Sequence, residues 1–357
     1  MFGAREGTIN RLHSISSKII SVLAMIPFRP SESIFVPRAH KNPVYQGYFA
    51  DPFVFLHEGA YYAVGTAPLG TTNSGFEFAL LRSIDLIEWE SLGGALLRSK
   101  GPCRRYWAPE VAEQDGVFYM YYSVGTSDER HELRVATSRR PDGPYRELVE
   151  PLLDPSTTPF AIDPHPYRNH DGRWYLFYAR DFLDSTSGSR PGTALVVAPL
   201  SDMVRLSAEF STVMRATHDW QRFQANRPIY GGIHDWHTLE GPCVVWNEGR
   251  YYCLYSGGNW QNETYGIDFV VADSIDGPWM DTNLGDHPRV LRSVPGHVIG
   301  PGHNSIVSGV DGVTYIAYHA WDPAMTGRRF CLDPLIWTSD GPRGLGPTWQ
   351  ANSSDTD

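Results

Sequence analysis

The stretch Asp171-Gly172-Arg173-Trp174-Tyr175-Leu176-Phe177-Tyr178 decides the fold, because its pattern occurs five times along the 357-residue chain. An acidic residue and Gly form a turn signal, and an alternating run of aromatic and aliphatic residues follows, which is typical of the second strand of a β-hairpin. The other four copies start at Glu58-Gly59, Asp115-Gly116, Glu248-Gly249 and Asp311-Gly312.

The spacing of these copies indicates a repeat architecture. Their glycines lie 57, 56, 77 and 63 residues apart. A strand-rich repeat of about 40–50 residues or more is typical of β-propeller blades. The sequence therefore predicts an all-β chain that forms a five-bladed β-propeller in a single domain. We assign residues 41–349 to the propeller, 1–40 to an N-terminal extension and 350–357 to a tail.

A polar residue precedes each turn within an otherwise apolar strand: Asp51, Glu110, Asp163, Glu240 and His303. The first strand of a propeller blade lines the central channel, so equivalent positions converge on the axis. An isolated Asp before Pro is more often a turn or cap residue. The recurrence of a polar residue at a similar distance before each turn instead predicts an active site at the axial channel mouth. Glu110 stands closer to its turn than the other four and is interpreted as structural.

Two opposed carboxylates can hydrolyse a glycosidic bond, one as the protonated acid and the other as the base that activates water. Asp51 and Glu240, from blades one and four, are expected to face each other across the channel. Room for a water between them predicts inversion of configuration. Asp163, in blade three, would repel charge on Glu240 and raise its pKa.

The segments Ala50-Asp51-Pro52, Trp107-Ala108-Pro109-Glu110-Val111, Ile162-Asp163-Pro164, Glu240-Gly241-Pro242 and Gly302-His303-Asn304-Ser305 together resemble glycoside hydrolase family 43. The resemblance covers about residues 45–340. It implies a propeller acting on arabinofuranosides, xylosides or related sugars, with Asp51 as general base, Asp163 as the pKa-modulating residue and Glu240 as general acid.

Three further roles are implied by the same resemblance. Trp107 matches an aromatic sugar platform, with a channel-lining core residue as its alternative. His303 matches an axial histidine that in some members approaches calcium through water, and a hydrogen-bonded core role is its alternative. Arg329 matches an arginine near the sugar, although alternation turns only one of Arg328 and Arg329 inward. No cofactor is required by this assignment, and a structural calcium is the one metal considered.

Two alternatives fit the sequence less well. Retaining fructan-acting propellers carry Arg-Asp-Pro and Glu-Cys motifs, whereas here Phe182 follows Arg180-Asp181 and Gly241 follows Glu240. A propeller that only binds carbohydrate would not need the acid. For the substrate, no β-sandwich fits after residue 349, which favours an α-L-arabinofuranosidase over a β-xylosidase or a galactofuranosidase. The expected partner is an oligosaccharide or polysaccharide.

Composition and charge limit the possible partners, the compartment and the state of the cysteines. A net charge of −10 without charge runs speaks against nucleic acid or an anionic membrane as partner. The segment Ile19–Ile26 is apolar and follows basic residues, as in a signal peptide, but no small-residue cleavage site follows it. The compartment is left open, with the cytoplasm slightly favoured over secretion. Four cysteines show no metal spacing, which favours buried thiols without excluding disulfides.

Overall fold

The computed structural model of the chain describes residues 40–68, 75–98, 104–148 and 150–349. Within these residues the regular structure is almost entirely β-strand, with two short 3-10 helices at Thr186–Gly188 and Asp219–Gln221. The proposed N-terminal extension, apart from His40, and the proposed tail lie outside the described residues, as does Cys103. No helix in the described ranges is long and apolar enough to cross a membrane.

The strands form five blades around one axis, which confirms the predicted five-bladed β-propeller. Blade one contains β1 (Ala50–His57), β2 (Ala60–Thr66), β3 (Phe76–Ser83) and β4 (Glu90–Leu97). Blade two contains β5 (Arg105–Gln114), β6 (Val117–Ser127), β7 (Arg130–Ser138) and β8 (Arg146–Glu147). Blade three contains β9 (Ala161–Arg168), β10 (Trp174–Phe182) and β11 (Gly192–Ser201), with β12 (Arg205–Leu206) and β13 (Ser211–Met214) at its outer edge.

An additional strand precedes blade four. Strand β14 (Arg222–Ile229) pairs with the first half of the sixteen-residue β15 (Gly232–Asn247). The second half of β15 is the innermost strand of blade four, followed by β16 (Arg250–Gly257), β17 (Gly266–Ala272) and β18 (Leu291–Arg292). Blade five contains β19 (Ile299–Ser308), β20 (Thr314–Trp321), β21 (Arg328–Thr338) and β22 (Gly341–Gly344).

The residues before β1 close the ring against blade five. The Val44 N–H donates to the Phe330 carbonyl over 2.9 Å, and the Phe49 N–H donates to the Arg328 carbonyl over 3.0 Å. Strand β1 also packs against β19. The start of the described chain is therefore tied to the last blade, which leaves no free gap between blades five and one.

The repeated motif builds the hairpins and the core as its pattern predicts. At Glu58-Gly59 both residues have positive φ, 48° and 78°, which is the two-residue turn that matches strand twist. The aromatic runs that follow pack between neighbouring blades. Phe118 and Tyr122 of blade two, for example, lie in one buried cluster with Val64 of blade one. Each such side chain contributes about 1.5–3 kcal/mol by burial.

The described cysteines are consistent with reduced thiols. Cys243, Cys253 and Cys331 are buried and free. Each lies inside a strand, where it packs as a small apolar residue.

Candidate active site

Each innermost strand contains a β-bulge at the same place. In β1 the pairing register shifts between Ala50 and Phe53, and the other four innermost strands show the same irregularity. One residue in each bulge has positive φ: Asp51 (53°), Ala108 (49°), Asp163 (57°), Gly241 (57°) and His303 (51°). A left-handed conformation costs a non-glycine residue of order 1–3 kcal/mol. The bulges turn Asp51, Asp163 and His303 toward the channel mouth, and in blades two and four the preceding residues Trp107 and Glu240 take this place.

The bulges correct the predicted phase of Glu240. Glu240 stands one residue before the left-handed Gly241, so its counterpart in blade two is Trp107 and not Ala108. The reason lies in the turns. In blade three the Asn169 N–H bonds to the Arg173 carbonyl, which leaves a three-residue loop, whereas blade four has the two-residue Glu248-Gly249 turn. Counting back from the glycine therefore misplaces blade four by one residue.

Backbone hydrogen bonds between blades hold the bulges in position. The Ala108 N–H donates to Thr66 Oγ1 over 2.8 Å, and the His303 N–H donates to Ser256 Oγ over 2.7 Å. Each acceptor belongs to the second strand of the preceding blade. The corresponding position in blade three is Ala179, which has no acceptor, and there the Gly241 N–H donates to Asp163 instead. Because blade three has Ala179 at this position, the Gly241 N–H bonds to the side chain of Asp163.

A cavity of about 420 Å³ opens at this end of the axis. Its size falls within the range of small-molecule sites. Five of the six predicted site residues line it: Asp51, Trp107, Asp163, Glu240 and His303. The structure therefore brings together one predicted side chain from each of the five blades, and Arg329 is the predicted site residue that does not line the cavity.

Asp51 lies among cationic and imidazole groups. Its Oδ1 is 3.2 Å from Arg328 Nη1, 3.2 Å from His319 Nδ1 and 3.5 Å from His303 Nδ1. Burial alone would raise the pKa of Asp51, but Arg328, followed by His303, outweighs burial and holds that pKa well below its ordinary value. Asp51 is therefore ionised, as a general base must be.

Asp163 and Glu240 both have raised pKa values, in contrast to Asp51. Burial, the largest cause, raises the pKa of Glu240 to about 7, against the hydrogen bond that Tyr265 donates to Glu240 Oε1 over 2.7 Å. Burial followed by repulsion from Glu240 raises the pKa of Asp163 well above its ordinary value. The Gly241 N–H, 2.9 Å from Asp163 Oδ2, favours charge on Asp163. The two neighbouring buried carboxyls therefore hold a proton between them at neutral pH.

Arg328 occupies the place predicted for Arg329. Arg328 lines the cavity and contacts Asp51, whereas Arg329 Nη2 pairs with Asp322 over 2.8 Å and does not line the cavity. Both residues belong to β21, in which successive side chains point to opposite faces. The expectation for Arg329 is therefore corrected by one position.

Trp107 stacks on a buried histidine. The ring centroids of Trp107 and His131 are 3.8 Å apart with an interplanar angle of 19°. Burial, followed by repulsion from Arg105, lowers the pKa of His131 to about 3, so this ring is neutral. One face of the Trp107 indole is thus fixed by the core while the residue lines the cavity.

Strand β14 and the first half of β15, which precede blade four, form one wall of the cavity. Phe223 and Arg227 of β14 and Trp236 of β15 line it. Trp260 and Gln261, between β16 and β17, line the neighbouring part. These residues therefore line the same cavity as Asp51, Asp163 and Glu240.

The possible calcium near His303 stays a prediction. Burial lowers the pKa of His303, and its Nδ1 lies 3.8 Å from Asp163 Oδ2. The described residues contain no group of three or more His, Cys, Asp or Glu side chains that could hold a metal. Calcium prefers six to eight oxygen ligands, and the surrounding carboxylates are already hydrogen-bonded to other protein groups.

Sequence reasoning missed Tyr265 and His319, and it named Arg328 only as the alternative to Arg329. Tyr265 lies in the loop between β16 and β17 and donates to Glu240. Gly302 leaves room for the Tyr265 ring, since a Cβ at position 302 would lie 1.9 Å from that ring. His319 accepts the Asp51 N–H through Nδ1 over 3.1 Å. Its position in β20, equivalent to Thr66 and Ser256, carried a detectable signal, because polar residues recur there in an otherwise apolar strand.

Comparison with known proteins agrees with this geometry. The model of the family "Glycosyl hydrolases family 43" matches residues 40–342. The "Beta-D-galactofuranosidase xynD" of Aspergillus niger is 26% identical over 84% of this chain and 83% of its own length. The "Extracellular endo-alpha-(1->5)-L-arabinanase 1" of Bacillus subtilis is 24% identical over 93% of this chain and 96% of its own.

A solved structure supports the same relationship. A thermostable family-43 glycoside hydrolase superposes with a TM-score of 0.73 at 28% identity, covering 88% of this chain and 98% of that one. Members of the family hydrolyse O-glycosidic bonds with inversion of configuration. Since the family model spans most of the chain and the propeller matches, this protein belongs to glycosyl hydrolases family 43 and is an inverting O-glycoside hydrolase.

Proposed function

We propose that the chain is an α-L-arabinofuranosidase in which Asp51 is the general base, Glu240 the general acid and Asp163 the pKa-modulating residue. The observation that carries this proposal is the contrast between two buried carboxyls in one cavity. The pKa of Asp51 is held low, while that of Glu240 is raised to about 7. Carboxyls whose environments separate their pKa values are the usual acid and base of a glycosidase.

The proposed reaction follows from these protonation states. Ionised Asp51 removes a proton from a water that attacks the anomeric carbon, and protonated Glu240 gives its proton to the leaving oxygen on the opposite side. Tyr265 occupies Glu240 Oε1, which leaves Oε2 to face the glycosidic oxygen. Asp163 accepts the N–H of Gly241, the residue after Glu240. The backbone that carries the proposed acid is therefore bonded to Asp163.

The choice of a furanose rests on the relatives. One is named a galactofuranosidase and another an arabinanase. A β-D-galactofuranoside and an α-L-arabinofuranoside share the configuration of the ring carbons and differ by one exocyclic hydroxymethyl extension. A site that fits one ring therefore fits the other, and only the room for that extension separates them. This makes β-D-galactofuranosidase the second candidate, ahead of β-xylosidase.

The test is a comparison of kcat/KM on nitrophenyl α-L-arabinofuranoside, β-D-galactofuranoside and β-D-xyloside. We expect the arabinofuranoside to be hydrolysed at least about tenfold better than the others, the discrimination that one buried group can supply. A preference for the galactofuranoside would replace the first candidate by the second.

A variant of the acid tests whether the chain acts as a catalyst through the assigned residues. Glu240→Gln should abolish hydrolysis of natural glycosides while retaining binding of the sugar product. Substrates with poor leaving groups should lose most, because only they need a proton in the transition state. Equal losses for good and poor leaving groups would remove the acid assignment.

A further inference from the structure

The hairpin of β14 and β15 stands on the side of the cavity where Glu240 lies. Trp236, Thr238 and Glu240 are alternate residues of β15, and all three line the cavity. Alternate residues of a strand point to the same face. The hairpin wall and the proposed acid are thus parts of one continuous surface.

The chemistry of the acid fixes what this surface must contact. A general acid has to lie within hydrogen-bond reach of the oxygen that it protonates. That oxygen belongs to the leaving group, so the leaving group lies beside Glu240 and away from Asp51. We propose that Phe223 and Arg227 of the hairpin form the binding site for the leaving group, and that this leaving group is a sugar residue. The inference rests on the proposed role of Glu240 as acid.

The side chains present suit a sugar ring. The Arg227 guanidinium lies 4.9 Å from the centroid of Phe223 and 5.7 Å from that of Trp236, and its Nη2 donates to Asp128 Oδ2 over 3.0 Å. Phe223 offers an apolar aromatic face against which the C–H groups of a sugar can pack. The Arg227–Asp128 pair beside it offers donors and acceptors for hydroxyls.

Bonds to two other blades hold the wall in place before any ligand arrives. Arg227 reaches Asp128 between β6 and β7 of blade two, where Arg105 also donates to Asp128 over 3.1 Å. The Tyr230 N–H donates to Glu129 Oε1 over 2.8 Å, and the Tyr230 hydroxyl donates to Asp181 of blade three over 2.6 Å. A surface that is already ordered loses little conformational entropy when a ligand binds.

The test separates the leaving-group site from the glycone site. An α-L-arabinofuranosyl fluoride carries the sugar that is transferred to water but no second sugar ring, whereas an arabinofuranosyl disaccharide carries both. For Arg227→Ala and Phe223→Ala, we expect kcat/KM on the disaccharide to fall about tenfold or more, and kcat/KM on the fluoride to stay within about twofold. Arg205→Ala is the matched control, because Arg205 pairs with Asp202 at the outer edge of blade three and does not line the cavity.

Equal losses on the two substrates, or no loss on either, would overturn the proposal. The melting temperature of each variant distinguishes loss of fold from loss of contact, and Arg227→Gln with Phe223→Leu replaces an alanine variant that does not fold. Failure of the unaltered protein to hydrolyse the arabinofuranosyl fluoride would instead count against the proposed sugar. The same pair of measurements with galactofuranosyl substrates would then decide the role of the hairpin.

Discussion

Arg328 Nη1 lies 3.2 Å from Asp51 Oδ1, and this pair sets the protonation state of the proposed base. The guanidinium is held in turn by Tyr48, whose hydroxyl accepts from Arg328 Nε over 3.1 Å, and by the Trp260 ring at 4.6 Å. A planar guanidinium fixed on two sides keeps its charge in one position beside a buried carboxylate. The low pKa of Asp51 is therefore a property of the assembled cavity.

Replacement of Arg328 should cost activity through the base. In Arg328→Gln the largest influence that opposes burial is lost, so the pKa of Asp51 should rise and the acidic limb of the kcat/KM profile should move to higher pH. Below the new pKa the ionised fraction falls about tenfold for each unit of that rise. Arg329→Ala is the matched control, since Arg329 pairs with Asp322 outside the cavity. An acidic limb that does not move would contradict the role given to Arg328.

The pH profile of the unaltered enzyme should be bell-shaped and extend far into acid. In the proposed mechanism, activity needs Asp51 ionised and Glu240 protonated. The depressed pKa of Asp51 places the acidic limb below the ordinary range of Asp, and the raised pKa of Glu240 places the alkaline limb at about pH 7. Measurement of kcat/KM across this range on a substrate with a poor leaving group checks both limbs. Loss of activity already near the ordinary pKa of Glu would contradict the acid assignment.

The fold was predictable because its signal is repeated and local. Turn glycines such as Gly59 and Gly116 require positive φ, and the alternating runs after them have the period of a strand. Five copies of such a hairpin leave few architectures other than a propeller. The carboxylates of the cavity followed from the same repeat, because innermost strands converge on one axis.

What the sequence could not supply was register. A one-residue difference in turn length between blades three and four put Glu240 one position out of phase with Asp163. An error of one residue also led to the prediction of Arg329 instead of Arg328 at the site. A shift by one residue turns a strand side chain to the other face. Tyr265 carried no motif at all, since its approach to Glu240 depends on the space left by Gly302 in another blade.

Removal of divalent metal should leave the chemistry intact. We propose that the carboxyl pair supplies both proton transfers, so that hydrolysis requires no metal cofactor. His303 contributes one imidazole, and calcium held mainly by water would bind weakly. Chelation is therefore expected to change kcat/KM by less than about twofold, with at most a modest loss of melting temperature that calcium restores. Complete inactivation by chelator, reversed by zinc, would show that the two-carboxylate mechanism is wrong.

The hydrogen bond from Tyr265 to Glu240 should set the alkaline limit of activity. This bond stabilises the ionised carboxyl and so lowers the pKa of Glu240 against the effect of burial. Tyr265→Phe should therefore raise that pKa and extend activity to higher pH, with a cost in stability of about 1–3 kcal/mol for the lost bond. Tyr318→Phe is the matched control, because Tyr318 is a buried tyrosine that donates to Asp333 over 2.6 Å outside the cavity. The control should lose similar stability while its pH profile stays unchanged. An alkaline limb that shifts to lower pH in Tyr265→Phe, or shifts equally in both variants, would contradict the role of Tyr265.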